Sequence, residues 1–320
     1  MYYSIICYNV VCDMYKSLLV VHRVCPSLSK TAVGFASKLE MVQETSASLV
    51  KALAKLGAKV RLVVVLDGCD DAYVRLFEDV CASEGRELVD LSVERTNAIG
   101  NAATWNRQVE IALERGIDAE YVFFSEDDYL FREDAVVVML DFMDRGLGDF
   151  VSPLDHPDRY LTDSRREKTN IVASRYCHWR ALESSCMTFL MRRSLLPKIL
   201  RQSSVYQFNC SDGAFWQTLT QWRMRSPLTW LRAAWSLFRW TVDHRYSSRY
   251  LTFVHILRRL GLRAFFFPRY TLWSPIPTLA VHLSDLSLPL CAETFHEECE
   301  DELREKALRY LGLQDGFVLA

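Results

Sequence analysis

Four runs rich in β-branched and aromatic residues limit what this chain can fold into: "SLLVVHRV", "VRLVVVLD", "ELVDLSV" and "YVFFS". Runs of this length and composition read as strands. Between them, residues 35–59, about Ala72–Ser83 and about Ala102–Arg115 repeat apolar positions every three to four residues, the period of an amphipathic helix. Strands alternating with helices need right-handed crossovers, so an α/β fold with a mostly parallel sheet flanked by helices is expected. In an open sheet of that kind, ligands bind outside the carboxyl ends of the strands. The residues just past each run are therefore the ones that matter for function.

The last run continues as "YVFFSEDDYLF", placing Glu126, Asp127 and Asp128 where the strand leaves the sheet. Such acids either hold a cation or cap the next helix. Mg²⁺ usually takes one or two carboxylates together with substrate phosphates, and Mn²⁺ tolerates an imidazole as well. In "VLDGCDD", Asp67 stands beside Gly68, where its carboxylate could accept hydrogen bonds from a base or ribose, or simply make a turn. In "RTNAIGNAATWN", Asn97 and Asn106 lie just before and within the helix that leads to the acidic strand, and a capped helix start is the alternative. Arg23, at the end of the first run, and Arg95 could fork onto a diphosphate or sit in surface salt bridges.

In order and spacing, these motifs resemble the nucleotide-sugar-dependent glycosyltransferases of the GT-A fold, the family-2-like group in particular. "LDGCDD" is similar to that family's nucleotide-binding aspartate, "NAIGNAATWN" to its asparagine-containing helix, and "SEDD" stands in the place of its DxD metal motif, in a Glu-Asp-Asp form. The likeness covers about Ser17 to Val138. It implies a GT-A-like fold, a nucleoside diphosphate-sugar donor with UDP the expected nucleotide, and a divalent cation, Mn²⁺ or Mg²⁺, at Asp128. Glu126 and Asp127 would hold the ribose or the metal's waters. A late histidine often completes the metal shell in this fold, and His282 in "PTLAVHLSD" is placed for it, with His178 and His156 as competitors; a histidine satisfied within the core is the other reading. Inverting members set a general base at a helix start, and Asp212 in "SDGAFW" resembles that residue; an ordinary N-cap is the alternative, and Asp155, Asp158 and Glu183 are rival bases. Asp155, His156, Asp158, His178, Trp179 and Arg180 sit in polar clusters suited to sugar hydroxyls, with Trp179 stacking on a pyranose ring. The acceptor would be a carbohydrate or glycolipid hydroxyl.

Half the residues are apolar, a quarter are charged and the formal net charge is −2, a balance that argues against disorder and against a nucleic-acid partner. Ten cysteines without a CxxC pair suggest reduced thiols of a cytoplasmic protein. The start "MYYSIICYNVVCDMYK" lacks a signal peptide's basic n-region, and no apolar stretch is long enough to span a bilayer. The expected organisation is an extension over 1–14, one catalytic domain over 15–292 and an acidic helix or tail over 293–320. The domain would comprise a nucleotide half, 15–131, and an acceptor half, 132–292. Residues 214–270 hold ten arginines, no lysine and one acid, Asp243. Arg225, Arg232 and Arg239 recur at sevens among tryptophans, which suits either a helix lying on an anionic membrane or one packed on the domain. Nucleotidyl transfer to a sugar phosphate, or sugar-nucleotide binding without turnover at a membrane, are the competing functions; the first ordinarily needs a glycine-rich N-terminal loop, absent from "VVHRVCPSLSK".

Overall fold

The structure, a computed structural model, describes residues 17–27, 35–85, 87–156, 169–222, 230–231, 234–235 and 248–283. Arg225, Arg232 and Arg239, Asp158, and both the expected extension and the acidic tail lie outside these residues.

The strands are β1 (Leu18–Val24), β2 (Val60–Asp67), β3 (Val89–Thr96), β4 (Tyr121–Glu126), β5 (Tyr129–Phe131), β6 (Phe150–Val151), β7 (Ile171–Ala173), β8 (His178–Leu182), β9 (Phe189–Arg192), β10 (Leu272–Ile276) and β11 (Ala280–His282). Nine of them form one sheet in the order β3-β2-β1-β4-β9-β6-β10-β8-β7, and β11 and β5 form a separate pair. Only β8 and β9 run against the other strands of the large sheet. The chain is thus an α/β protein with a mostly parallel sheet, as its strand and helix periods require. β3 runs further than its apolar run, through Glu94-Arg95-Thr96, because each of these residues continues the parallel register against β2.

Alternate side chains of a strand face opposite sides of the sheet, and each side has its own core. Leu18, Val20 and Val24 of β1 and Tyr121 and Phe123 of β4 pack with helices α1 (Lys38–Ala54), α2 (Asp71–Glu84) and α4 (Ala135–Asp144). Leu19 and Val21 of β1 and Val122 and Phe124 of β4 pack instead with α3 (Asn101–Glu114), α5 (Leu196–Ser203) and α7 (Asp212–Thr220), around Trp105, Phe189 and Trp216. A short turn, α6 (Tyr206–Asn209), precedes α7, and α8 (Ser248–Leu260) leads into a 3₁₀ turn, Gly261–Phe266. This alternation decides where the functional side chains go. Arg23 and Glu126 fall on the α3/α7 side, and Asp127 falls on the α1 side.

Trp179 is fully buried, tilted against Phe142 with ring centroids 4.3 Å apart, and its indole N–H donates to Ser174 Oγ at 3.0 Å. The expectation that it stacks on a sugar is corrected: the ring fills the core on the α4 side of the sheet, where an indole buries the most apolar area once its N–H has a partner. Among the described residues, no helix is long and apolar enough to cross a membrane, and every cysteine is a free thiol, with only Cys69 fully buried.

Candidate functional site

β1, β2 and β4 end side by side, and an open cleft of about 350 Å³ lies against their carboxyl ends. Arg23, Asp67, Glu126, Asp127, Asp128, Asp212 and His282 all line it. The three consecutive acids do not act as one cluster, because successive residues leaving a strand point in different directions and each meets its own partner.

Arg23 and Glu126 are register partners on adjacent parallel strands and face the same side, so their side chains pair directly. Arg23 also reaches Tyr206 Oη at 3.5 Å and the Asn101 carbonyl at 3.4 Å, tying β1 to the starts of α6 and α3. On the opposite side, Asp127 Oδ1 accepts from Lys38 Nζ at 2.8 Å and its Oδ2 from the Cys25 backbone N–H at 2.9 Å. Lys38 is set there by the start of α1. Ser37 caps the helix by accepting from the Glu40 N–H at 3.1 Å, while Glu40 accepts in return from the Ala36 N–H at 2.7 Å. Burial raises Asp127 to about 6, against the pull of Lys38.

Asp128 leaves the sheet between these two pairs. Its Oδ2 lies 3.0 Å from His282 Nε2, and its carbonyl accepts from the Leu283 N–H at 2.8 Å. The pairing of β11 with β5 sets Tyr129 opposite His282, their rings stacked at 4.7 Å. Burial alone would push Asp128 up, but the hydrogen bond and charge of His282, with Lys38 and Arg23, hold it below the ordinary carboxylate value. Asp128 Oδ1 is buried and has no hydrogen-bond partner among the described residues. An unsatisfied carboxylate oxygen beside an imidazole fits a cation with oxygen and nitrogen donors. Among the described residues, no three His, Cys, Asp or Glu side chains form a ready-made cage. The two groups therefore suit a cation that takes its remaining ligands from phosphates and water.

Asp212 enters from α7. Cys210, in the left-handed region at φ 50°, turns the chain into the helix, and Ser211 is the cap, its Oγ accepting from the Ala214 N–H at 3.2 Å. With capping done by Ser211, the Asp212 carboxylate is left to face the cleft from the first turn. It is raised to about 7, first by burial and then by repulsion from Glu126, with Arg23 and His282 opposing. A half-buried carboxylate titrating near neutrality suits proton abstraction.

Asp67 lines the cleft and also shapes the turn beside it. Its Oδ1 accepts from Thr96 Oγ1 and the Ile99 N–H, both at 2.7 Å, and its Oδ2 from the Gly100 N–H at 2.9 Å and Thr104 Oγ1 at 3.1 Å. These contacts make Asp67 the anchor of the turn before α3, and the Thr104 hydroxyl divides its one proton between Asp67 and the Gly100 carbonyl at 2.8 Å. They also hold Asp67 below the usual carboxylate value, although burial opposes them. Gly68 (φ 74°) makes the close approach possible, since a Cβ there would meet the Ala98 Cβ at 3.0 Å.

The remaining candidates divide by position. Asn97 is exposed in the turn, and Asn106 Oδ1 accepts from Gln207 at 2.6 Å; neither lines the cleft, which Asn101 and Thr104 face instead. Arg95 is on the surface, paired with Asp71 at 2.6 Å, and so meets the bland alternative. Asp155, almost fully buried, lies 3.6 Å from Arg180. His156 is half-buried just past β6, His178 is exposed at the start of β8, and Glu183 lies between β8 and β9. None of these five residues lines the cleft. Sequence reasoning missed Lys38 and Tyr206. Only the capping pattern before Lys38 could have marked it, and nothing local marks Tyr206.

No family model and no curated protein matches the sequence. Among solved structures, S. aureus TarS aligns with 62% of this chain and 32% of its own, at 18% identity and a TM-score of 0.40. The mannosyltransferase PcManGT from Pyrobaculum calidifontis, in complex with GDP-Man and Mn²⁺, aligns with 61% of this chain and 54% of its own, at 12% identity and a TM-score of 0.39. This chain thus spans about a third of the first and about half of the second.

Proposed function

We propose that the protein transfers a sugar from a nucleoside diphosphate-sugar to a hydroxyl acceptor, with inversion. The observation that carries this reading is the convergence, in one cleft at the carboxyl edge, of the Asp128–His282 pair and a first-turn carboxylate that the helix does not use as its cap, Asp212. A divalent cation at Asp128 and His282 would supply Lewis-acid neutralisation of a departing diphosphate. Asp212 takes the proton of the acceptor hydroxyl as that oxygen attacks the anomeric carbon, a single displacement that needs no covalent intermediate. Arg23 and Glu126 pair on the wall of the cleft, and burial, with the nearby Glu126 carboxylate, keeps Asp212 basic enough for the task. Of the rival bases, Asp155 is committed to Arg180 outside the cleft, which favours Asp212. His156 and His178 lie toward the same edge of the sheet, further along it, and are assigned to the acceptor side. UDP is the proposed nucleotide.

A donor-hydrolysis screen across nucleotide sugars, with Mn²⁺ and with EDTA, tests the reading. The expected result is nucleoside diphosphate release that EDTA abolishes and that Asp128→Asn loses while its circular dichroism and melting curve remain those of the parent. Release of inorganic pyrophosphate from a nucleoside triphosphate and a sugar phosphate would reassign the cleft to nucleotidyl transfer. Cation-independent turnover would remove Asp128 and His282 from the mechanism.

A further inference from the structure

The end of the fold built from α8 and the 3₁₀ turn plays no part in the cleft, yet its surface is unusual. Leu262 is 73% exposed and Phe266 85%, one helical turn apart at the tip of Gly261–Phe266. Between and behind them stand Arg259 and Arg263, both exposed, and neither has an ion-pair partner among the described residues. Residues 248–270 contain five arginines and no acid. The tip is rigidly backed. Phe265, beside Phe266, packs on Trp230 at 4.7 Å, Trp230 packs on Phe253 at 5.4 Å, and the Ala264 carbonyl accepts from Gln221 at 3.1 Å. Leu231 and Trp235, close to Trp230 in the sequence, are themselves 68% and 62% exposed.

We propose that this tip docks the protein on an anionic lipid surface, with Leu262 and Phe266 entering the acyl boundary and Arg259 and Arg263 on lipid phosphates. Apolar side chains this exposed would need matching pockets in a rigid partner, whereas a bilayer deforms around them. Arginine forks, with no lysine among them, match phosphate oxygens, and basic residues beside aromatic and aliphatic ones form the pattern of an interfacial segment. The position of the tip keeps docking apart from chemistry. Gln221 immediately follows α7, and Asp212 begins it, so the tip and the cleft are separated by about 13 Å of helix, nine residues at 1.5 Å each. The inference is independent of sugar transfer.

Co-sedimentation of the full chain with vesicles of phosphatidylcholine, with and without phosphatidylglycerol, tests it. Binding is expected only with phosphatidylglycerol, and it falls as salt shortens the Debye length. Arg259→Gln with Arg263→Gln should lower partitioning about 25-fold, about fivefold per arginine. Leu262→Ser with Phe266→Ser should also weaken binding, while the residual binding keeps its salt dependence. All four positions are exposed, so melting curves should match the parent. Equal binding to neutral vesicles, no binding at low salt, or variants that bind like the parent would each overturn the proposal. So would a parent that sediments as a dimer, becomes a monomer in Leu262→Ser/Phe266→Ser and ignores vesicles, since the surface would then belong to a second copy.

Discussion

Replacing Asp212 by Asn separates chemistry from stability, because its carboxylate is held in an unfavourable ionised state. Its displacement from 3.8 to about 7 corresponds to about 4 kcal/mol at roughly 1.4 kcal/mol per pH unit, and to about 2 kcal/mol once the solvent still touching the side chain is allowed for. The sign follows from linkage. Between pH 4 and pH 7 the folded protein holds a proton that the unfolded chain has released, so the parent loses stability as pH rises through that window. Asn carries no such proton. The variant should match the parent near pH 4 and exceed it by about 2 kcal/mol at pH 8 in urea denaturation. Transfer should fall by about 10²- to 10⁴-fold while donor affinity is kept, and the parent's rate should rise with pH through about 7. A stability difference that does not change between pH 4 and pH 8 would show that burial and Glu126 do not raise Asp212. Transfer within a few-fold of the parent would show that it is not the base.

Two further substitutions test the walls of the cleft. Lys38→Met breaks a nearly buried pair and should destabilise the protein by about 3 kcal/mol at pH 8. The loss should be smaller at pH 5, where Asp127, at about 6 in the parent and higher without Lys38, is protonated; equal losses at both pH values would show that Asp127 is not charged in the folded state. Asp67→Asn sets amide hydrogens against donors and should cost about 1–3 kcal/mol by chemical denaturation. That gap should narrow on acidification, because the parent's depressed carboxylate loses its advantage as it protonates, and a gap that widens would refute the assignment.

The sheet was legible because an unbroken run such as "VRLVVVLD" has few places to go other than the middle of one. The acids at 126–128 were legible for the same reason, since a carboxylate following such a run must emerge at its end. What distinguishes them from one another was not legible. Which of the three meets arginine, lysine or histidine depends on strand phase and on partners 89 to 154 positions away, as Lys38 and His282 show. Asn97 and Asn106 failed through phase of another kind. The correct stretch was identified, but the α3 start turns Asn101 and Thr104 inward. Trp179 failed because an indole's chemistry suits both a sugar and a core, and only burial separates the two.

His282 reaches Asp128 only because β11 pairs with β5, bringing together residues 154 positions apart. A contact of that span forms late, after the ends of a long loop have been brought together against their entropy. The sheet order β3-β2-β1-β4 is complete in the first 126 residues, so the four strands of nine that include those bearing Arg23, Asp67 and Glu126 are synthesised long before the imidazole. The pairing of these two short strands is therefore what completes the Asp128–His282 pair. Without that pairing Asp128 has no partner from β11, however complete the strands beneath it are.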